Sequence, residues 1–371
     1  MVHYPTSQKK KAKLRRMPRL LSLDILRGLT IAAMVMVNNP GSWTHVFPPL
    51  RHAVWHGWTF TDLVFPFFLW MVGLSLTLSF ARRVEQGADR RQLYLHTLRR
   101  GALIFGLGLL LNLIPQFDFA HVRIPGVLQR IGICYLIAGA IFLVTSPRSL
   151  AVVTALLLGL YAALMMGHGY ADPWSIDNNY ARSIDSLWLT GHMWVQTKVW
   201  DPEGIVSTIP AVATCLFGAL SGYLIRSALP ATEKIAWLYF SGNSLILAAL
   251  MLAPWMPINK SLWTSSFSLL TAGLASVSFA SLYWLCDVQQ IRRPFEPFRI
   301  YGLNAIVLYV LSGMLGKILS LTGAGAWLWS HVYSGLFTDL RLGSLAFALT
   351  EVLLIFGVAY LMNRKQLVVR F

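Results

Sequence analysis

Two histidines four residues apart, His52 and His56, lie in the stretch Arg51-His52-Ala53-Val54-Trp55-His56-Gly57-Trp58-Thr59-Phe60-Thr61-Asp62-Leu63-Val64-Phe65-Pro66, where the chain passes into a long apolar run. An imidazole titrates near neutral pH, so either histidine is suited to act as a general base. The spacing would also suit two metal ligands on a helix. Gly57 opposes a helix there, and no third histidine or carboxylate joins at a fixed spacing, so no metal is expected. Asp62 falls inside the apolar run, and Pro66 can kink that helix and free backbone groups for a polar pocket. Asn38 and Asn39 end the preceding run. Amide and imidazole can thus converge at one end of two sequential helices.

Other ionisable residues interrupt apolar segments, where each costs several kcal/mol and needs a partner or a role. Asp24 and Arg27 are three apart on one helix face, where they neutralise each other or Arg27 meets an anionic ligand. Arg99 and Arg100 open a third run; they snorkel, or they supply cations to a pyrophosphate. Gln129 and Arg130 begin a fourth. Asp201 and Glu203 end a long polar loop, where they either hold sugar hydroxyls or favour the N-terminus of the next helix. Lys260 contacts an acidic group or faces water.

The elements that must position these residues are membrane helices. Of 371 residues, 56% are hydrophobic and 12% charged, against about 25% charged in an ordinary soluble domain. Apolar stretches of about 20 residues match the bilayer core. The expected fold is all-α, a polytopic bundle of ten spans near 21–39, 59–80, 93–114, 126–145, 149–166, 205–225, 235–254, 263–286, 301–321 and 342–362. Residues 1–20 form a basic cytoplasmic tail, and 21–371 a single membrane domain. Counting lysine and arginine by loop gives 20 on the side of the N-terminus and five (Arg51, Arg123, Arg182, Lys198, Lys260) on the other. This places both termini in the cytoplasm. Asp24 and Arg27 within the first run, and the lack of a cleavage site, mark a retained helix rather than a signal peptide.

The net charge of +16 follows this loop alternation and forms no basic face interleaved with aromatics, which argues against nucleic acid. Cys134, Cys215 and Cys286 sit in apolar segments without metal or disulfide spacing. The loop 167–204, rich in Asp, Asn, Trp and Tyr, suits sugar recognition or an interfacial aromatic belt.

The ordered strings Ser22-Leu23-Asp24-Ile25-Leu26-Arg27-Gly28, Asn38, His52-Ala53-x-Trp55-x-Gly57 and Asp62-Leu63-Val64-Phe65-Pro66 resemble the heparan-α-glucosaminide N-acetyltransferase family. So do Arg123-Ile124-Pro125-Gly126-Val127-Leu128-Gln129-Arg130, Asp201-Pro202-Glu203-Gly204, Asn259-Lys260-x-Leu262-Trp263 and Gly302-Leu303-Asn304-Ala305. The resemblance covers the membrane part and reads as a short bacterial member without a lumenal N-terminal domain. It implies acetyl transfer from cytosolic acetyl-CoA to the amine of a glucosamine-type sugar at the far face of an inner membrane, by a homodimer. His52 would be the catalytic histidine and Asn38 its partner. Arg27, Arg99, Arg100, Gln129 and Arg130 would hold acetyl-CoA, and Asp62, Asp201, Glu203, Lys260, Trp263 and Asn304 the acceptor. The Asn38–His52 loop, with Pro40, Pro48 and Pro49, and His56 depart from the family pattern, which puts heparan itself in doubt as acceptor.

Two other readings stand beside it. Ten spans with polar residues at depth also suit an amino-sugar transporter, although no inverted repeat is evident. The opening Leu-Asp-x-x-Arg-Gly also resembles broader membrane acyltransferases, including O-acetyltransferases of envelope glycans.

Overall fold

The computed structural model describes residues 19–369; most of the basic tail (1–18) and Arg370 lie outside the described residues. Among the described residues thirteen α-helices follow one another: α1 (Leu21–Asn38), α2 (Phe60–Glu85), α3 (Arg90–Leu113), α4 (Val127–Val144), α5 (Pro147–Met166), α6 (Tyr180–Trp188), α7 (Thr208–Arg226), α8 (Ala231–Leu252), α9 (Ser265–Leu282), α10 (Glu296–Leu303), α11 (Ala305–Leu321), α12 (Ala324–His331) and α13 (Leu340–Arg364). Among the described residues the only β pairing is one bridge, Gly57 to Asn259.

Among the described residues, eight helices (α1, α2, α4, α5, α7, α8, α9 and α13) are long and apolar enough to cross a membrane, and α10 with α11, bent by 76°, forms either a ninth, broken span or a re-entrant loop. The third expected span, α3, has 24 residues but carries His96, Arg99 and Arg100 in its first half, which lowers its apolarity. It still runs from the turn after α2 to the loop bearing Arg123, and so joins the two ends of the bundle. The protein is a multi-pass membrane protein with outward-facing apolar side chains such as Leu156, Phe240 and Leu353.

Close packing in lipid relies on small residues where helix backbones meet. A Cβ at Gly28 would stand 1.7 Å from the Phe298 carbonyl oxygen, and one at Gly302 1.9 Å from that of Asp24, which holds α10 against α1. Gly73 and Gly218 play the same part between α2 and α7, at 1.7 and 1.8 Å from the Cys215 and Trp70 carbonyl oxygens. Lys317 on α11 donates to the Leu111 and Ile114 carbonyls, which closes the C-terminus of α3 and accounts for a lysine in an apolar helix.

The loops sort to two ends. At one end, Asp287 accepts from the N–H groups of Leu21 and Ser22 at the start of α1, and Asn304 is tied to residues 367–369. At the other end, Gly57 N–H donates to the Ile258 carbonyl, Ile124 N–H to that of His192, and the Trp55 indole to that of Trp174. His45 stacks on Trp329 there as well. All five loops expected on the far side therefore meet, and a polar site forms among them.

Candidate active site

The C-terminus of α1 and the N-terminus of α2 place the first two residues of the site. Asn38 is exposed at the last position of α1. Asp62, at the third position of α2, accepts the Thr59 backbone N–H at 3.0 Å, a short link that closes the helix start. The same carboxylate accepts Ala53 N–H at 3.0 Å and the Thr59 hydroxyl at 3.2 Å, and its other oxygen lies 2.6 Å from His52 Nδ1. Its side chain is 1% exposed, that of His52 48%. An ionised carboxylate only accepts, so Nδ1 donates to it, and in the neutral imidazole Nε2 is the nitrogen with the lone pair. Asp62 thus orients the imidazole, a role beyond the substrate contact expected of it.

Lys260 reaches the same imidazole from the loop between α8 and α9. Its Nζ lies 3.0 Å from His52 Nδ1, 3.3 Å from Nε2 and 3.8 Å from Asp62 Oδ1. Asn259 holds that loop by accepting Leu262 N–H and facing His56 at 3.4 Å. His56 is therefore turned to an amide and not toward a shared metal position with His52.

Opposite lies a second charged group. Arg123 binds Asp201 through Nε at 2.8 Å and Nη2 at 2.6 Å, and Glu203 through Nη2 at 2.6 Å, with its guanidinium over the Trp194 ring. Burial opposes the Arg123 charge, but its bonds to Asp201 and the charge of Glu203 outweigh this and raise its proton affinity. Burial alone would lift the Glu203 carboxyl; Arg123, Arg130 and Lys260 hold it below the usual range. At Lys260 burial wins over the attraction of Asp62 and Glu203, so the ammonium releases its proton more readily than an exposed lysine.

Between these groups is a cavity of about 420 Å³, lined by Asn38, His52, Asp62, Arg123, Glu203 and Lys260 and by the rings of Trp55, Trp194 and Trp200. Its size fits a small sugar, and its rings offer stacking faces. A small apolar pocket of about 10 Å³, lined by Ile31, Phe68, Ile131 and Tyr309 among others, shares Met34 and Val127 with it. Arg27, Ile31, Met34 and Asn38 follow one face of α1 at spacings of four, three and four.

The remaining expected site residues fall elsewhere. Asp201 is buried beneath Arg123 and also accepts Trp194 N–H, so it shapes the wall without lining it. Arg130 is buried under the floor, bonded to the Gly204 carbonyl and Ser207 hydroxyl and stacked on Trp263. Gln129 is buried beside it. Trp263 is fully buried against Phe65 and Phe267 and donates to Thr214, which makes it core and not a stacking platform. Asn304 stands at the opposite end, where its amide binds Leu367 and Val369 and marks the break between α10 and α11. Arg27 is shared by Asp24, Ser75 and the Gly302 carbonyl, and Arg19 also pairs with Asp24. Arg99 is exposed, while Arg100 lies over Tyr135 with its Nε buried and unpartnered among the described residues. The cationic residues expected to hold a nucleotide thus divide between both ends of the bundle. Arg123, Trp194 and Trp200 were not anticipated as site residues, although Arg123 opens one of the quoted motifs.

The family described as heparan-alpha-glucosaminide N-acetyltransferase, catalytic, matches residues 19–250. Heparan-alpha-glucosaminide N-acetyltransferase of Homo sapiens is 29% identical over 353 residues, covering 79% of this chain and 52% of the human protein. That of Mus musculus is 27% identical over 350 residues, covering 79% and 53%. The chain spans about half the length of these relatives. With a match over more than half of its residues, the protein belongs to the heparan-alpha-glucosaminide N-acetyltransferase catalytic-domain family.

Proposed function

We propose that the protein is an acetyltransferase that moves the acetyl group of acetyl-CoA to the amine of a glucosamine-type sugar, with residues 21–371 acting as one acyltransferase domain. The observation that carries this reading is the His52–Asp62 pair at 2.6 Å, opening on a cavity that also holds Asn38. Asp62 fixes the imidazole so that Nε2 faces the acceptor. Nε2 takes the proton of the sugar ammonium as nitrogen attacks the thioester carbon, or itself carries the acetyl group between the two substrates. Asn38 donates to the oxyanion, a contribution typically worth about 3–4 kcal/mol. The Trp55, Trp194 and Trp200 rings and Glu203 receive the sugar.

The Arg27 face of α1 supports delivery of the donor from the other end. Arg27 and Asn38 are eleven residues apart, about 16 Å along the helix, a distance suited to an extended thioester arm with its phosphates near Arg27, Arg99 and Arg100. Gln129 and Arg130 would steady the arm near the cavity floor. In this reading the loop charge count supports a cytoplasmic position for that end and the far face for the cavity, and the family resemblance supports a bacterial inner membrane. A homodimer is part of the same reading.

Purified protein in detergent is given radiolabelled acetyl-CoA and glucosamine, beside His52→Ala. Label in N-acetylglucosamine with the wild type alone is expected. Full transfer by His52→Ala removes the mechanism. No transfer, but glucosamine uptake by vesicles without acetyl-CoA, makes the protein a transporter.

A further inference from the structure

We propose that Lys260 is a self-acetylation site, modified by the protein's own transfer chemistry when no amino sugar fills the cavity. The inference rests on the acetyltransferase reading above. Lys260 is the lysine among the cavity-lining residues, and its side chain is 18% exposed. Its Nζ lies against the His52 ring, 3.0 Å from Nδ1 and 3.3 Å from Nε2, the nitrogen that would deprotonate an acceptor ammonium. A primary amine at that position stands to the base as the sugar amine would, and burial further favours its neutral, nucleophilic form.

The step needs no reagent beyond the acetyl thioester donor. His52 Nε2 takes a proton from the Lys260 ammonium, and the freed nitrogen pair attacks the acetyl carbonyl carbon. The new C–N bond replaces the C–S bond, and the sulfur leaves as thiolate and is protonated to the thiol. One proton is released overall. The product is an amide, stable toward a second acceptor, so the modification stops turnover. It removes the cation beside Asp62 and Glu203 and adds an acetyl group to the acceptor cavity. A protein with ample donor and no acceptor would thereby switch itself off.

Purified wild type is incubated with isotope-labelled acetyl-CoA, with and without glucosamine, and acetyl occupancy of each lysine is read by peptide mass spectrometry. Exposed Lys198 and Lys365 report non-enzymatic acetylation. Lys260 should gain label at least about tenfold faster than these. That excess should vanish in His52→Ala and fall with added glucosamine. Lys260→Arg should lose the His52-dependent label altogether. Lys260 labelled no faster than Lys198, in a sample that acetylates glucosamine, overturns this proposal and spares the acetyltransferase. Loss of both label and glucosamine transfer overturns both.

Discussion

Two charged clusters line one cavity, and they differ in how completely their atoms are satisfied. In the Arg123–Asp201–Glu203 cluster, both oxygens of Asp201 are filled, by Arg123, Glu203 N–H and Trp194 N–H. In the His52–Asp62–Lys260 cluster, Asp62 accepts as many bonds, but the imidazole it holds is half-exposed, and Nε2 faces the Lys260 amine at 3.3 Å with no carboxylate or carbonyl to fix it. The saturated cluster ties the loop after α3 to the loop before α7, so its energy goes into shape. The open one leaves a proton acceptor and an amine in the cavity. Chemistry is expected where satisfaction is left incomplete.

His52→Ala tests that contrast most strongly, since loss of a general base removes about 10²–10⁴-fold of rate. Asp62→Asn should come next. An asparagine oxygen can still accept Thr59 N–H and keep the start of α2, but it no longer demands a proton on Nδ1. A loss of about 10²–10³-fold in kcat is expected at nearly unchanged thermal midpoint. A variant that loses folding and rate in proportion would mean that Asp62 belongs with the structural cluster.

Arg123→Met reverses the pattern. It strands two buried carboxylates, and breaking such a buried pair costs about 3–5 kcal/mol. The thermal midpoint in detergent should fall sharply, while the folded fraction keeps kcat within about tenfold and shows its larger loss in KM. A collapse of kcat with an intact midpoint would move Arg123 into the catalytic group.

The same contrast explains what could be read from the sequence. Each expected span is occupied by helix, because a bilayer-length apolar run leaves few alternatives. Only the break at Asn304 was read through as one span, since its cause lies 63 residues away at Leu367. Asn38, His52, Asp62, Glu203 and Lys260 stood out as polar groups at or near the ends of apolar runs, and all five line the cavity. Their pairings did not stand out. Nothing in spacing shows that Asp62 serves His52, ten residues away across the turn at Gly57. Arg123 looked like one more loop cation because its partners lie 78 and 80 residues on. Trp263 and Asn304 came with matched strings, and a matched string carries no position.

Asp185 gives a smaller and finer test, since it belongs to the satisfied side and still bears a strain. Its oxygens accept Asp201 N–H at 3.1 Å and Ile205 N–H at 2.9 Å, yet burial pushes its carboxyl up to about 6. The folded state then binds this proton more tightly than the unfolded chain, whose carboxyl titrates near 4. Ionisation therefore costs stability progressively from about pH 4 to about pH 6, by about 3 kcal/mol in all, and the cost is constant above. Glu203, held below the usual range, has the opposite sign: its contribution is present above its unfolded value near 4.3 and lost as pH falls through its folded one. The two windows are separate, so Asp185→Asn should remove a downward slope in the thermal midpoint between pH 4.5 and 6 without altering the acid limb below. Parallel profiles for wild type and variant would mean that backbone donors hold the Asp185 charge as well as Arg123 holds that of Asp201.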